Sequence, residues 1–317
     1  MTKDEKMRTI WIHIGSHKTG TTTLQSALKA AGRKDALQGM SYCHPVGKIN
    51  SNALIDVTGK GEDMRWTLNP LILKRRIPEE GDCIISAERL FWLDDQAEIA
   101  RIAKILRRRF DRIMVVAYLR RQDLLAVSFR KTTVATQVGR RFFGDRIGAF
   151  PEYQPHMDRY FCYAEKLQLW ENVFGAENVI VRKYDKKHLV GGDTVTDFCS
   201  LLGIDSKIAV KEQNTKWNRS QLLVGMWLQA RNHDCKDVPR IIADIEDDQQ
   251  LMPARSEAIA FMQRFAASNA LLARKYDPEG LPGYFDDDFS RFPEQGNDDL
   301  STLTISLDDI EKRLIQA

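Results

Sequence analysis

The chain has 317 residues, with 47 Lys and Arg against 44 Asp and Glu, a formal net charge of +3 and a hydrophobic content of 43%. This near balance of charge argues against a dedicated nucleic-acid binder, and the length is enough to bury a substantial core. Five widely spaced cysteines without a C-x-x-C pair argue against a disulfide framework. No apolar run approaches the ~20 residues of a membrane helix, and the charged N-terminus lacks a signal-peptide pattern. We therefore expect a soluble cytoplasmic protein with no integral membrane segment and no nucleic-acid partner.

The first predicted elements are a strand from Ile10 to Ile14, a loop built on Gly15 and Gly20, and a helix from Thr22 to Ala31. Glycines let successive backbone N–H groups converge at the positive end of a helix dipole, which predicts an anion-binding loop. The loop GSHKTGTT has the glycine spacing of a Walker A motif, but threonine holds the lysine position and the lysine is Lys18. A magnesium-assisted ATP or GTP site is therefore a poor fit, and a phosphate-like group bound by one lysine, backbone amides and threonine hydroxyls fits better. The structural alternative is a plain glycine turn between a strand and a helix.

Further along the chain, residues 33–82 are rich in glycine and proline and predict a loop-rich segment that shapes a cleft. A short buried-type strand, Cys83 to Ser86, leads to Glu88. The strongest strand, Arg112 to Leu119, ends in Arg120. The remaining predicted elements are helices over 95–110, 124–138 and 159–174, a strand over 178–182, and helices over 193–202, 220–230, 253–275 and 307–315.

Strands that alternate with helices predict an α/β protein with three layers, a mainly parallel sheet with helices on both faces. We expect a single domain over 1–285, with irregular cleft-forming segments at 33–82 and 139–158, and an acidic C-terminal extension over 286–317. Ligands of such sheets bind beyond the carboxyl ends of the strands. Three motifs project there: the loop Gly15 to Thr22, the segment Ser86 to Glu88, and the segment Arg120 to Ser128.

Two of these motifs resemble a known family. HIGSHKTGTTTLQ resembles the 5′-phosphosulfate loop of sulfotransferases that use 3′-phosphoadenosine 5′-phosphosulfate (PAPS). VVAYLRRQDLLAVSFRK is similar to their 3′-phosphate element, in which an arginine ends a strand and a serine follows eight residues later, as Arg120 and Ser128 do. The wider family often has proline and a second arginine where this chain has Gln122 and Leu125, so the resemblance is to the bacterial, carbohydrate-type branch. It covers roughly residues 10–204 and implies the P-loop nucleoside triphosphate hydrolase-like fold of sulfotransferases.

The resemblance also implies a reaction: transfer of the sulfuryl group from PAPS to a hydroxyl acceptor, expected to be a carbohydrate or glycolipid, with no metal required. Lys18 would stabilise the oxygen that bridges to the departing 5′-phosphate, and Arg120 with Ser128 would hold the 3′-phosphate. Arg121 either assists there or faces solvent. The implied donor-binding set is Ser16, His17, Lys18, Thr19, Gly20, Thr21, Thr22, Arg120 and Ser128.

The reaction needs a base to take the proton of the acceptor hydroxyl. Glu88 is the first candidate, because its context SAERLFWL resembles a segment of polysaccharide sulfotransferases in which a glutamate precedes aromatic residues. The structural alternative for Glu88 is an ion pair with an arginine. His17 is the rival base, since histidine titrates near neutrality and Lys18 beside it would favour its neutral form. The predicted catalytic residues are thus Lys18, Glu88 and His17, and His13 is expected in the core.

Two other functions remain compatible with the sequence. One is an ATP-dependent P-loop phosphotransferase, which would need magnesium. The other is a nucleotide-binding module without catalytic activity. Acceptor identity, adenine contacts, oligomeric state and the role of the acidic tail have no recognisable pattern in the chain.

Overall fold

The structure is a computed structural model that describes residues 7–204, 216–303 and 305–315, with side chains up to residue 312. The strands are, in chain order, β1 Thr9–Gly15, β2 Ser41–Cys43, β3 Ile55–Thr58, β4 Arg65–Leu68, β5 Cys83–Ser86, β6 Arg112–Leu119 and β7 Val179–Lys183. The α-helices are α1 Thr21–Arg33, α2 Pro70–Arg76, α3 Gln96–Leu106, α4 Gln122–Ala135, α5 Gln137–Phe143, α6 Asp158–Phe161, α7 Tyr163–Phe174, α8 Thr194–Leu202, α9 Arg219–Ala230, α10 Val238–Ile241, α11 Arg255–Gln263, α12 Ala266–Tyr276 and α13 Leu307–Ile315.

Five strands form one parallel sheet in the order β2-β5-β1-β6-β7, and β3 and β4 form a separate antiparallel hairpin. β1 is central: Ile10 lies opposite Cys83 of β5 on one side and Ile113 of β6 on the other. These three strands are almost wholly buried, as their continuous apolar sequences require when both faces of a sheet are covered.

Helices cover both faces of the sheet. On one face, Leu24 and Leu28 of α1 and Phe198 of α8 pack with Ile84 and Val116. The opposite face belongs to a second cluster, in which side chains of α3 and α7 pack with β1, β5 and β6: Ile99, Ile102, Leu167, Trp170, Ile12, Ile85 and Val115. The predicted three-layer, mainly parallel α/β architecture is therefore confirmed.

A third cluster joins the end of α4 to the C-terminal helices. Val134 packs with Leu223 of α9, Val238 of α10 and Ile310 of α13. The predicted last helix is confirmed at Leu307–Ile315. Nowhere in the described ranges is a helix both long enough and apolar enough to cross a bilayer.

Several predicted boundaries were wrong for local reasons. The helix predicted over 124–138 is two helices, because extended Thr136 ends α4 and its hydroxyl oxygen accepts from Gly139 N–H at the start of α5. The helices predicted over 159–174 and 253–275 are also each divided in two. The helix predicted to end at Ala31 continues through Gly32 to Arg33, and the helix predicted to reach Phe110 stops at Leu106. Segment 33–82 contains β2, the β3–β4 hairpin and α2, so it is more regular than predicted.

Candidate functional site

The loop between β1 and α1 is anchored to the protein from below. Ser16 uses both of its donors on Tyr118 O of β6, with N–O and Oγ–O distances of 2.8 and 2.9 Å. The Thr19 hydroxyl donates to Ser16 O at 2.7 Å, and the Thr194 hydroxyl, at the start of α8, donates to Thr19 O at 3.0 Å. Ser16 and Thr19 are fully buried. Their hydroxyls therefore hold the loop in shape and do not point outward.

The start of α1 presents uncapped backbone N–H groups. Gly20 is the N-cap with a φ of 77°, and no side chain of the residues that the structure describes caps the helix. A Cβ at Gly20 would lie 2.8 Å from Thr194 Oγ1, so glycine is required both by conformation and by space. The N–H groups from Lys18 to Thr22 have no hydrogen-bond acceptor in the described part of the chain. With the helix dipole behind them, they form a cradle of N–H groups that is suited to an anion.

Lys18 and Arg120 meet at this cradle. Arg120 Nη1 donates to Lys18 O at 3.1 Å, which links the end of β6 to the loop. Neither side chain forms an ion pair with a carboxylate of the described residues. Burial lowers the pKa of Lys18 to about 8, helped by the nearby charges of Lys131 and Arg120, and burial also lowers the pKa of Arg120. Two half-buried cations without carboxylate partners favour an anionic ligand.

Helix α4 places a further positive charge, that of Lys131, near Lys18, and the predicted residue Ser128 lies on the same helix. Ser128 is half-buried, and Lys131 lies three residues later, on the same helix face. The charge of Lys131 contributes to the lowered pKa of Lys18, and its Nζ lies 5.0 Å from the Trp217 ring centroid. Lys131 was not among the residues predicted from the sequence, although its spacing from Ser128 was a signal for it.

Glu88 lies against the loop, immediately after β5. A Cβ at Gly15, where φ is 109°, would lie 3.3 Å from Glu88 Cα, so glycine permits this approach. Gln25 Nε2 of α1 donates to Glu88 Oε2 at 2.6 Å, and Asn52 Nδ2 donates to Glu88 Oε1 at 2.8 Å. We call Gln25 and Asn52 the amide clamp. No ion pair joins Glu88 to an arginine within the described ranges, so the structural alternative named above is not observed.

The amide clamp is itself held by hydrogen bonds. Gln25 is 1% exposed and also donates to Ser86 Oγ at 3.2 Å, and Ser86 Oγ lies 2.7 Å from His13 Nδ1. Asn52 Oδ1 accepts from Arg89 N–H at 3.2 Å, which identifies its nitrogen as the atom facing Glu88. Burial lowers the pKa of His13 to about 3, so His13 is a neutral core residue. The sequence offered no signal for the clamp, because its members come from a helix and from the segment 33–82.

His17 points away from the cradle into an aromatic cluster. Trp92 Nε1–H donates to His17 Nε2 at 3.2 Å, and His17 Nδ1 lies 2.9 Å from the Tyr160 hydroxyl. An indole can only donate, so Nε2 is the acceptor nitrogen and Nδ1 carries the proton. Burial, with Lys18 and Arg89 nearby, lowers the pKa of His17 to about 3. Both ring nitrogens are therefore engaged within the protein, and the ring is neutral.

Arg121 points away from Arg120, toward the acidic tail. It is 5% exposed and forms a two-pronged ion pair with buried Asp123, with Nη2–Oδ2 at 2.7 Å. Its Nη1 also donates to Asp286 Oδ1 at 2.6 Å and to Asp288 O at 2.7 Å. Arg121 thus neither faces solvent nor reaches the cradle: it fastens residues 286–288 to α4.

The opposite edge of the sheet carries a cavity of about 730 Å³, between Arg8, Asp82 and Asp111 at the amino ends of β1, β5 and β6. It contains none of the predicted site residues. In the described ranges, no group of three or more His, Cys, Asp or Glu side chains is placed to hold a metal ion.

Comparison with known proteins found two partial similarities, one to a protein sequence and one to a solved structure. No family model matches the chain. An uncharacterized protein of Archaeoglobus fulgidus is 29% identical over 204 residues, which cover 61% of this chain and 53% of that protein, so the chain spans about half the length of this relative. The crystal structure of a sulfotransferase from Alicyclobacillus acidocaldarius aligns with 88% of this chain and 99% of its own, with a TM-score of 0.44 and 13% identity.

Of the predicted site residues, the structure brings Lys18, Gly20, Thr21, Thr22 and Arg120 together around one cradle, with Glu88 beside it. Ser16, His17 and Thr19 direct their side chains into the protein. The geometry is that of a site which can hold an anion on backbone amides and two cations while an oriented carboxylate lies next to it.

Proposed function

We propose that this protein is a sulfotransferase that moves a sulfuryl group from PAPS to a hydroxyl group, with a carbohydrate or glycolipid as the acceptor. The observation that carries the proposal is the pairing of Lys18 and Arg120 at the uncapped start of α1, where neither cation has a carboxylate partner among the described residues. The donor has two anionic ends, a 5′-phosphosulfate and a 3′-phosphate. One lysine in a loop and one arginine at the next strand end match that distribution of charge.

We assign the following roles to the donor-binding residues. The N–H groups of Lys18 to Thr22 and the hydroxyls of Thr21 and Thr22 would hold the phosphosulfate. The Lys18 ammonium would stabilise the negative charge that grows on the bridging oxygen as the S–O bond breaks. Arg120, with Ser128, would hold the 3′-phosphate, and Lys131 adds a third positive charge. Ser16 contributes only by shaping the loop, because both its donors are used on Tyr118 O.

For the acceptor side, we propose Glu88 as the base. Each of its oxygens accepts one hydrogen bond from the amide clamp, which orients the carboxylate and leaves further lone pairs for the acceptor proton. We assign His17 a positioning role instead. Its acceptor nitrogen already receives the Trp92 N–H, and a pKa near 3 makes it a weak base at neutral pH.

The proposal is tested by calorimetric titration with adenosine 3′,5′-bisphosphate and with AMP, which lacks the 3′-phosphate. We expect the wild-type protein to prefer the bisphosphate. Arg120→Ala should weaken bisphosphate binding by about 10- to 100-fold, the value of one or two charge-assisted hydrogen bonds, and should abolish the preference over AMP. Lys18→Ala should weaken both ligands by the same factor, because both carry the 5′-phosphate.

Arg108→Ala is the matched control, since this exposed arginine borders the cavity at the opposite edge. Absence of bisphosphate binding by the wild-type protein refutes the proposal. Binding that requires magnesium, with ATP preferred, identifies a phosphotransferase instead. Normal donor binding without release of the bisphosphate from PAPS, across a panel of glycans, identifies a binding module without catalytic activity.

A further inference from the structure

Two buried cysteines lie side by side on neighbouring strands. Cys43 ends β2 and Cys83 begins β5, and their Sγ atoms are 2.8 Å apart. They are 6% and 0% exposed, and both are free thiols in this structure. Each of the other cysteines, Cys162, Cys199 and Cys235, is also unpaired. Cys43 and Cys83 are thus a specific pair within a set of five.

The strand register explains the proximity. In the parallel pairing of β2 with β5, Ser41 lies opposite Cys83 and Cys43 lies opposite Ile85. Because side chains alternate between faces, Cys43 and Cys83 project from the same face of the sheet, as diagonal neighbours. A disulfide bond needs an S–S distance of about 2.05 Å, so a small movement of the two side chains brings the sulfur atoms into bonding range.

We propose that Cys43 and Cys83 are an oxidative modification site, at which one disulfide bond ties the edge strand β2 to β5. With a low-molecular-weight disulfide such as oxidised glutathione as the oxidant, one cysteine thiolate attacks the glutathione disulfide and releases one glutathione thiol. The second cysteine thiolate then attacks the mixed disulfide and releases the second. The two cysteines lose two electrons and two protons, and the glutathione disulfide gains them.

The bond would close a loop over residues 44–82, which include Asn52 of the amide clamp and the β3–β4 hairpin. β2 has only three residues, and β5 is its one partner among the strands of the described ranges, so its attachment to the sheet is short. A cross-link over a loop of this length stabilises the folded state mainly by restricting the unfolded chain. This bond would be a single cross-link and not a disulfide framework, and its formation does not depend on the proposed function.

Burial also predicts how the bond forms. Burial and the neighbouring Cys43 raise the pKa of the Cys83 thiol well above its ordinary value, so little thiolate is present in the folded protein. Glutathione must therefore reach the pair when the short strand β2 opens. We expect oxidation to be slow in the folded protein and fast during refolding from denaturant.

The test uses the full chain, refolded with either oxidised glutathione or dithiothreitol, then alkylated in denaturant and mapped by mass spectrometry without reduction. We expect a peptide pair joined through Cys43 and Cys83 in the oxidised sample only, with the other three cysteines alkylated. The Tm of the oxidised protein should exceed that of the reduced protein by several degrees.

Cys43→Ser should abolish both the cross-link and the Tm difference, whereas the matched buried control Cys199→Ser should keep both. If Cys43→Ser does not fold, the peptide map of the wild-type protein decides alone. Five alkylated thiols in the glutathione-treated protein, or a cross-link between any other two cysteines, would overturn the proposal.

Discussion

The hydrogen bond between Gln25 and Glu88 can be tested by exchanging the two residues, which separates the contribution of Glu88 to hydrogen bonding from its proposed role as a base. In Glu88→Gln, one side-chain nitrogen replaces an oxygen that now accepts from Gln25 at 2.6 Å or from Asn52 at 2.8 Å. As long as Gln25 keeps its nitrogen on Ser86 Oγ, an N–H group then faces an N–H group, whichever way the new amide at position 88 turns. The double variant Gln25→Glu/Glu88→Gln restores a donor and an acceptor between the two positions. It moves the carboxylate to α1.

The expected magnitudes follow from these contacts. A hydrogen bond to a charged group contributes about 1.5–3 kcal/mol, so Glu88→Gln should lower the free energy of unfolding by about 2 kcal/mol. The double variant should regain most of this loss, because the Ser86 hydroxyl can rotate to donate to a carboxylate at position 25. Turnover should fall at least ~100-fold in both variants, since neither has a carboxylate at position 88.

Urea denaturation measures the free energy of unfolding. Turnover is measured as the release of adenosine 3′,5′-bisphosphate from PAPS, with the best acceptor of a glycan panel. Affinity for the bisphosphate should stay within twofold of wild type in both variants. Wild-type turnover in Glu88→Gln would refute the assignment of the base. Equal unfolding free energies for Glu88→Gln and wild type would refute the amide clamp, whatever the enzyme activity.

Three further outcomes are expected. Because Lys18 without bound ligand loses its proton near pH 8, bisphosphate affinity measured by calorimetry should fall about tenfold from pH 7 to pH 9. Lys18→Arg should remove this pH dependence, and an affinity of the wild-type protein that does not change with pH would contradict the prediction. Arg121→Met should lower the free energy of unfolding, measured by urea denaturation, by about 3–5 kcal/mol and leave bisphosphate affinity unchanged, because Asp123 is left buried without its partner. Lost affinity with normal stability would instead give Arg121 a role in binding. Gly20→Ala should cost about 1–3 kcal/mol and weaken bisphosphate binding, since φ is 77° and the new Cβ meets Thr194; a variant with wild-type stability and affinity would show that the loop adapts.

Much of the sheet could be predicted from the chain because its signals are local. The apolar runs of β1, β5 and β6 need burial on both faces, and alternation with helices implies parallel strands. Boundaries were less predictable: Thr136 divides a continuous periodic pattern by capping the next helix, and nothing in the period itself marks that break.

The position of the candidate site was also a local property, since Gly15, Gly20 and Lys18 lie in one loop and Arg120 directly ends a strand. These residues alone predict a loop that binds an anion, and they show that the loop lacks the lysine of a Walker A motif at its usual position. The amide clamp is different, because Asn52 and Gln25 reach Glu88 from 36 and 63 residues away in the chain. No pattern along the sequence marks such a contact.

Arg120 and Arg121 illustrate what can be predicted from the sequence and what depends on the tertiary structure. As neighbours they have the same charge, the same side chain and the same strand end, so the sequence by itself determined only that cations gather there. The fold turns Arg121 toward Asp123 and Asp286, the latter 165 residues away, and leaves Arg120 beside Lys18 without a carboxylate partner in the described ranges. Successive side chains leave the backbone in different directions, and which of them finds a counter-charge depends on the segments that the fold packs alongside.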